Sequence, residues 1–387
     1  MPLSIAFTLS LDYFVFLLHR FQECRKDHAD SREAMIDALC KSTSSIFSSG
    51  LTTVIGFAAL CLMRFRIGPD LGMVLAKGVA LSLLCVFVFM PNLILCTYKA
   101  IDKTGHKQFL PSFEKYGRFI SRIMIPFAAV TALIIAPSFL ASNANSYYYG
   151  ASHLFNEETK LGQDIASIEE VFGKSDTYVL MVPNGDKQMQ LALSDTLKEV
   201  PQVKDIISYV DTVTSDMMKV NLIAIGAVFV VLLLSMKSVT LPFILFLSIE
   251  TAIWVNLSFP YFTDKPIFYI AYLIISSIQL GATVDYAILM TDRYLEHRSS
   301  MPKKEAIIAT VSSCTVSILT SASVLTVVGF LLGYMTTHGL LAQLGTFIGR
   351  GTLCSLAIVM LALPRLLYCF DGLIQKTTKN ADFYGGK

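Results

Sequence analysis

One short phrase occurs twice in this chain, each time inside an apolar run long enough to cross a membrane. The first copy places Asp12-Tyr13 ahead of the segment 20–23, and the second places Asp285-Tyr286 ahead of the segment 293–296. A carboxylate at bilayer depth costs about 2.5–3.5 kcal/mol even on the mildest insertion scale, so an acid there indicates a functional site. Two such acids in equivalent contexts strongly restrict the class of fold.

The duplication extends well beyond the phrase. With the same offset, segment 53–57 aligns with 326–330, and Pro91 aligns with Pro364. Residues 12–103 are therefore repeated as 285–376. Internal repeats of this length are common in membrane transporters.

Composition places the chain among integral membrane proteins. It is 54% hydrophobic and 16% charged, with a mean hydropathy of +0.59, which excludes a typical soluble domain. The eight cysteines have no metal-ligand spacing, and most fall in apolar runs as small hydrophobes. There is no phosphate loop, nucleotide-binding motif or nucleophile constellation. We therefore expect neither an enzyme nor an ATP-driven pump, no cofactor or metal, and no nucleic-acid partner.

About nine apolar stretches are long enough to span the roughly 30 Å hydrocarbon core of a bilayer. The sequence therefore predicts an α-helical multi-pass membrane protein. The predicted spans lie near 1–19, 43–63, 71–97, 123–141, 219–236, 240–260, 267–291, 307–333 and 340–369.

Loop charge predicts the orientation. Lysine and arginine concentrate in segments 20–41, 99–122 and 292–305, which alternating passes place on one face, and positive loops favour the cytoplasm. Segment 142–218 falls on the opposite face and predicts a small α+β extracytoplasmic domain. Its periodicity predicts helices at 161–172 and 187–200 and strands at 177–183 and 203–210.

The two Asp-Tyr pairs are the first candidates for chemistry. An apolar environment favours the protonated form of a carboxyl group, so Asp12 and Asp285 predict a proton-coupling site. Tyr13 and Tyr286 are placed to hydrogen-bond the carboxyl group of the neighbouring helix. The alternative is a pair of structural acids neutralised by a partner helix.

Four further groups of residues are secondary candidates. Serines spaced four apart share a helix face and predict either a polar path beside the acids or plain helix packing: Ser44, Ser48, Ser317 and Ser321. Small residues spaced four apart predict close helix packing: Gly72, Gly345 and Gly349. Glu250 lies inside a predicted span as either a proton or substrate contact or a paired structural acid. Lys77 and Arg350 align, and are expected to snorkel or to pair with an acid.

These residues resemble the resistance-nodulation-division (RND) superfamily, in particular its MMPL-type branch. Segment 279–288, followed by Arg293, Tyr294 and Glu296, is similar to that branch's Asp-Tyr helix motif, and segment 49–57 is similar to the motif of the following helix. The resemblance implies a twelve-helix, two-half bundle that exports lipids or drugs using the proton gradient. It implies that Asp12, Tyr13, Asp285 and Tyr286 form the proton relay.

The resemblance also predicts the domain organisation. Residues 1–100 correspond to helices four to six, 101–122 to a cytoplasmic linker and 123–141 to helix seven. Residues 142–218 correspond to the extracytoplasmic domain, 219–370 to helices eight to twelve and 371–387 to a cytoplasmic tail. We therefore expect an N-terminally truncated chain.

The expected function is proton-driven export of a hydrophobic or amphiphilic substrate across the plasma or inner membrane. The expected partners are the lipid bilayer, that substrate, protons, and either a second chain supplying the missing helices or another copy of this one. A lipid-sensing regulatory module of the sterol-sensing or Patched-like kind is the first alternative. A non-functional transporter fragment is the second.

Overall fold

The computed structural model describes residues 2–62, 67–103, 114–145, 147–148, 163–164, 167, 170–171, 187–199, 209–379 and 383. Almost all of these are helical. The helices are α1 Pro2–Cys24, α2 Ser31–Ala59, α3 Ile67–Val88, α4 Met90–Lys103, α5 Glu114–Asn143, α6 Lys187–Lys198, α7 Tyr209–Met236, α8 Thr240–Thr263, α9 Tyr269–Ser300, α10 Lys303–Met335, α11 Gly339–Leu361 and α12 Leu363–Thr377.

The duplication in the sequence is a duplication of four helices. Helices α1 to α4 recur as α9 to α12, with boundaries that agree within a few residues once the offset is applied. The halves are interlocked, because α1 packs against α10 and α2 packs against α9. The first helix of each half therefore meets the second helix of the other.

Seven helices are long and apolar enough to cross a membrane among the residues described. They coincide with seven of the nine predicted spans, so the α-helical multi-pass fold is confirmed. The eighth predicted span, 219–236, falls on α7, whose described apolar part is Asn221–Met236. The ninth, 1–19, falls on α1, where the side chains up to residue 12 lie outside the described part.

Two predicted spans, 71–97 and 340–369, are each broken into two helices. The breaks follow Val88 and Leu361, and the next helices carry Pro91 and Pro364 in their first turn. Proline is tolerated there, but the residue before it disfavours helical backbone. Helices α4 and α12 are consequently separate, and each has one apolar and one polar face.

Each of these short helices is tied to the first helix of its own half. Arg25, just after α1, donates through both terminal nitrogens to Asp102 at 2.9 Å, and this hydrogen bond lowers the pKa of the Asp102 carboxyl. In the second half, the repeat-equivalent Arg298 donates to Asp371 on α12 at 3.0 and 3.2 Å. These ion pairs place α4 and α12 at the end of the bundle that holds Arg20, Arg25, Arg293 and Arg298, called the arginine-rich end below.

The predicted domain 142–218 lies largely outside the described residues, including the strand predicted at 177–183. Within it, α6 agrees with the helix predicted at 187–200, and the described residues between 163 and 171 are helical. The strand predicted at 203–210 is wrong at its end, because α7 begins at Tyr209. Two short parallel strands, β1 Tyr147–Tyr148 and β2 Ile267–Phe268, pair at the end of the bundle where α5 leaves and α9 begins.

The outer surface is a belt of exposed apolar side chains. Leu81, Leu133 and Leu234 are 65%, 78% and 70% exposed. Such a surface would promote aggregation in water, whereas in a bilayer it contacts lipid tails. Many of the described polar side chains in the spans, among them Thr53, Asn256 and Gln279, are instead buried between the helices.

Candidate functional site

Asp285 lies in the middle of the bundle. It is about 16 Å along the axis from Ile274, where the apolar part of α9 begins, and it is 8% exposed. Among the described residues, its Oδ2 atom is buried and has no hydrogen-bond partner. Its other oxygen, Oδ1, lies 3.3 Å from the Thr53 hydroxyl of α2.

Thr53 connects Asp285 to the opposite half. Its Oγ1 atom accepts a hydrogen bond from the Tyr13 hydroxyl at 3.4 Å and lies 2.8 Å from the carbonyl oxygen of Gly281. A threonine hydroxyl has one proton, so it can donate to the carboxylate or to the carbonyl, but not to both. Tyr13, Thr53 and Asp285 therefore form a hydrogen-bond chain in which Thr53 can turn its proton either to the carboxyl group or to the Gly281 carbonyl.

A cavity of about 40 Å³ opens beside the Asp285 carboxyl group. Its polar lining includes the hydroxyls of Ser45, Ser49, Ser317 and Ser321. A buried water needs roughly 10–15 Å³ and two to four polar partners. The cavity therefore has the size and the chemistry to hold water next to the acid.

A second, larger cavity of about 310 Å³ lies toward the arginine-rich end. The two cavities share Phe16, Ser45 and Leu289 in their linings, so they adjoin one another. Asp292 lines the second cavity and accepts a hydrogen bond from Ser45. It lies two helical turns beyond Asp285, about 10 Å along α9, and it is one of the site residues that the sequence reasoning missed.

Four charged residues form crossed ion pairs at the mouth of the second cavity. Arg20 donates to both oxygens of Glu296 at 2.7 and 2.8 Å, and Arg293 donates to Glu23 at 2.6 Å. Each arginine also bonds the glutamate three residues along its own helix, at 3.0 and 3.2 Å. The repeat makes Arg20 equivalent to Arg293 and Glu23 to Glu296, so this crossed quartet has approximate twofold symmetry and joins α1 to α9.

The predicted serines are only partly beside the acid. Ser317 and Ser321 line the cavity at Asp285, whereas Ser44 lines the second cavity and Ser48 contacts Ser235 on α7. In the first half the face turned to Asp285 is one residue further on: Ser45, Ser49 and Thr53. That set has the same four-residue spacing, so the pattern was present in the sequence on a neighbouring face.

The other predicted residues have the following surroundings. Asp12 lies in α1, and its side chain is outside the described part of the chain. Tyr286 is buried at 2% exposure and lines the Asp285 cavity. Glu250 is buried in α8 at 3% exposure and does not line that cavity.

The three predicted glycines lie where helices approach closely. A Cβ atom added at Gly345 would lie 2.7 Å from the carbonyl oxygen of Gly329 on α10. One added at Gly349 would lie 3.1 Å from the carbonyl oxygen of Thr326, and one at Gly72 would lie 2.6 Å from that of Phe57. In each case the obstacle is backbone, which cannot rotate away.

Comparison with known proteins assigns the family. The model of the MMPL family matches residues 1–122 and 202–374. The chain belongs to the MMPL family. Two curated proteins that are similar to this chain are described only as membrane proteins. They are YdgH of Bacillus subtilis (strain 168), 25% identical over 219 residues, and ActII-3 of Streptomyces coelicolor, 24% identical over 222 residues. These alignments cover 55% and 52% of this chain, and only 24% and 30% of the relatives.

Solved structures place this MMPL chain in the RND-type fold. SecDF, a translocon-associated membrane protein from Thermus thermophilus, has a TM-score of 0.68 at 14% identity. The match covers 96% of this chain and 55% of the SecDF chain. The hedgehog release protein Disp from a water bear has a TM-score of 0.70 at 12% identity. That match covers 96% of this chain and 63% of the Disp chain. Identities this low show the fold alone. The predicted RND-type fold is thereby confirmed, whereas the predicted MMPL membership is confirmed by the family model.

Proposed function

We propose that this chain acts as a proton-driven exporter of hydrophobic or amphiphilic molecules in the cell membrane. The observation that carries the proposal is the environment of Asp285. This acid is buried at the middle of the bundle with one oxygen unpartnered, and it faces a hydroxyl-lined cavity that adjoins a charged cavity at one end. An acid that can gain and lose a proton in such a place couples protonation to helix packing.

The proton would leave toward the arginine-rich end, because a proton that drives export moves into the cytoplasm. Water in the smaller cavity takes it from Asp285, and water in the larger cavity carries it past Asp292, because the two acids are too far apart for direct transfer. The neutral form of Asp285 suits its apolar surroundings. The charged form requires donors, and the Thr53 hydroxyl supplies one by turning from the Gly281 carbonyl to the carboxylate.

The energy available matches a conformational change. One elementary charge crossing 100 mV gains about 2.3 kcal/mol, comparable with rearranging a few hydrogen bonds. The crossed quartet closes the end of the path between α1 and α9, and its rearrangement would let the two halves rock. Asp12 and Tyr286 would perform the equivalent steps in the first half, and residues 142–218 would conduct substrate outside the cytoplasm.

Proton flux that depends on Asp285 tests this proposal. Inside-out vesicles from cells expressing the full chain are energised, and an acid-sensitive dye reports proton release when a fluorescent amphiphile is added. Asp285→Asn keeps the shape but cannot ionise, so we expect amphiphile-induced proton flux to fall at least tenfold. Asp264→Asn is the matched control, because Asp264 is exposed in the α8–β2 turn and asparagine tolerates its positive φ of 52°.

The same experiment separates the alternatives. A lipid-sensing module that needs no proton flux would keep its response in Asp285→Asn, and that result would contradict the proposal. Equal flux in Asp285→Asn and the wild type, at equal membrane abundance, would also contradict it. If Asp264→Asn also lost flux, the effect would come from removing a negative charge anywhere on the protein rather than from the buried acid.

A further inference from the structure

Arg350 is a cation inside a membrane span, and it lines neither of the two cavities. It lies halfway along α11, and its guanidinium reaches across to α8. Nε donates to Asn256 Oδ1 at 2.8 Å, and Nη2 donates to the Asn256 carbonyl at 3.0 Å. The guanidinium also lies over the rings of Phe259 and Phe347, at 4.7 and 4.9 Å from their centroids.

These contacts direct the charge toward one membrane surface. Phe259 is four residues before the end of α8 at Thr263, which is about 6 Å along the helix axis. That end is opposite to the crossed quartet, because α8 begins at the arginine-rich face. Arginine commonly extends its apolar stem along a helix and carries its head toward the interface. The two rings under this head, Phe259 and Phe347, both lie on the Thr263 side of Asn256 and Arg350.

Three helices build the cradle that holds this arginine. Asn256 is fully buried at 0% exposure, and its Nδ2 donates to Gln279 Oε1 on α9 at 2.8 Å and to the Phe347 carbonyl at 3.0 Å. With both protons committed there, the amide presents its oxygen to Arg350. A Cβ at Gly351 would lie 2.7 Å from both amides, so glycine leaves the space that this pair occupies.

No carboxylate neutralises the charge within the described part of the chain. Every recorded contact of the Arg350 guanidinium is with a neutral amide, a carbonyl or an aromatic ring. Neutral partners satisfy hydrogen bonds but leave the net charge, which is costly at membrane depth. The structure records no bond for Nη1 among the described residues, and the side chain is half-buried rather than sealed. It can therefore receive an external anion.

We propose that Arg350 binds the anionic head group of an amphiphile from the leaflet at the Thr263 end of α8. A guanidinium group is suited to the phosphate or carboxylate of such a head group, because its remaining N–H groups donate side by side. It is also weakly hydrated, so it can stay stacked on the two rings when part of its water is removed. The exposed apolar surface beside it, which includes Phe259 at 41% and Phe262 at 69% exposure, suits acyl chains. This site shares no residue with the lining of either cavity, and it does not depend on proton coupling.

Native mass spectrometry of the full chain in neutral detergent tests the site. The probes are phosphatidylglycerol, oleate and inorganic phosphate, each titrated against the wild type, Arg350→Gln and Arg365→Gln. Arg365 is the matched control, because it is a cation on α12 at the other face and stacks on Tyr368. We expect Arg350→Gln to weaken the tightest amphiphile site at least tenfold, Arg365→Gln to leave it unchanged, and inorganic phosphate not to displace the amphiphile.

Three results would overturn the assignment. Unchanged phosphatidylglycerol affinity in Arg350→Gln would remove Arg350 from the site. Equal losses in both glutamine variants would indicate diffuse charge attraction. Displacement by inorganic phosphate at equal concentration would indicate a site for a free anion.

A second variant guards against failure of Arg350→Gln to fold. Arg350→Lys keeps the charge but lacks the planar fork, so we expect it to fold and to bind phosphatidylglycerol three- to tenfold more weakly than the wild type. If Arg350→Lys bound phosphatidylglycerol as tightly as the wild type, side-by-side donation by the guanidinium would be contradicted and the proposal would be overturned.

Discussion

Thr53 is the hydroxyl through which Tyr13 meets the carboxyl group of Asp285. Replacing it with valine keeps the shape and removes the donor. We expect Thr53→Val to lower amphiphile-induced proton flux by roughly tenfold, since one hydrogen bond to a charged group contributes about 1.5–3 kcal/mol. The flux assay in inside-out vesicles measures this, with membrane abundance checked by immunoblot.

Thr53→Ser is the control for that prediction. Serine restores a hydroxyl at the same position, so flux should recover to near the wild-type rate. Full activity in Thr53→Val would show that the buried acid ionises without this donor, and recovery that fails in Thr53→Ser would point to packing by the methyl group instead.

At this scale the sequence located Asp285 better than it located the residues around it. Asp285 could be found because a carboxylate in an apolar run is conspicuous. Ser45, Ser49 and Thr53 were missed because aligned repeats pick out equivalent positions, whereas the rotation of α2 against α9 decides which face meets the acid. Asp292 is the first residue of segment 292–305, which its lysines and arginines mark as a positively charged loop, and only the structure shows that Asp292 lines a cavity and contacts Ser45.

Helices α10 and α11 pack with their backbones nearly in contact, and Gly345 is central to that contact. A methyl group at Gly345 would meet the carbonyl of Gly329 at 2.7 Å and the carbonyl carbon of Leu332 at 2.9 Å. We expect Gly345→Ala to force the helices apart and to lower the thermal unfolding midpoint in detergent by several degrees. The gain in helix propensity from alanine, about 1 kcal/mol, acts in the opposite direction.

Gly226 provides the matched control for that substitution. It lies inside α7, where an added Cβ would meet nothing within 4 Å. Gly226→Ala should therefore keep or raise the midpoint. An unchanged midpoint in Gly345→Ala would mean that α10 and α11 separate without cost, and it would remove close packing as the reason for glycine there.

Among the elements, helices were predictable and their breaks were not. Apolar runs located the spans because length and hydropathy are sufficient for a bilayer. The ends of α3 and α11 were missed because membrane helices tolerate proline, so Pro91 and Pro364 did not by themselves signal a break. The spans end where the residue before each proline disfavours helical backbone, and Arg25 and Arg298 then hold α4 and α12 in place. Such contacts between distant residues have no signature in a single sequence.

The whole molecule is organised by its approximate twofold symmetry. The repeat predicted two equivalent halves, and the structure shows that they are joined crosswise, by α1 with α10, α2 with α9, and the crossed quartet between α1 and α9. The arginines of that quartet are 5% and 9% exposed, whereas the glutamates are 43% exposed. Solvent therefore reaches the acidic partners and leaves the guanidinium groups buried between the halves.

The same asymmetry of charge predicts the orientation in the membrane. The quartet, the ion pairs of Arg25 and Arg298, and Lys303 and Lys304 all lie at one end of the bundle, and positively charged loops are retained in the cytoplasm. In a cysteine-free background, we expect Lys265→Cys, in the turn after α8, to react with a membrane-impermeant maleimide in intact cells. Ser300→Cys, at the end of α9, should react only after the membrane is permeabilised. Both positions are exposed, so a lack of reaction reports the membrane rather than burial. The reverse pattern would place the large charged cavity outside the cell, and Asp285 would then take up its proton from the external medium through Asp292.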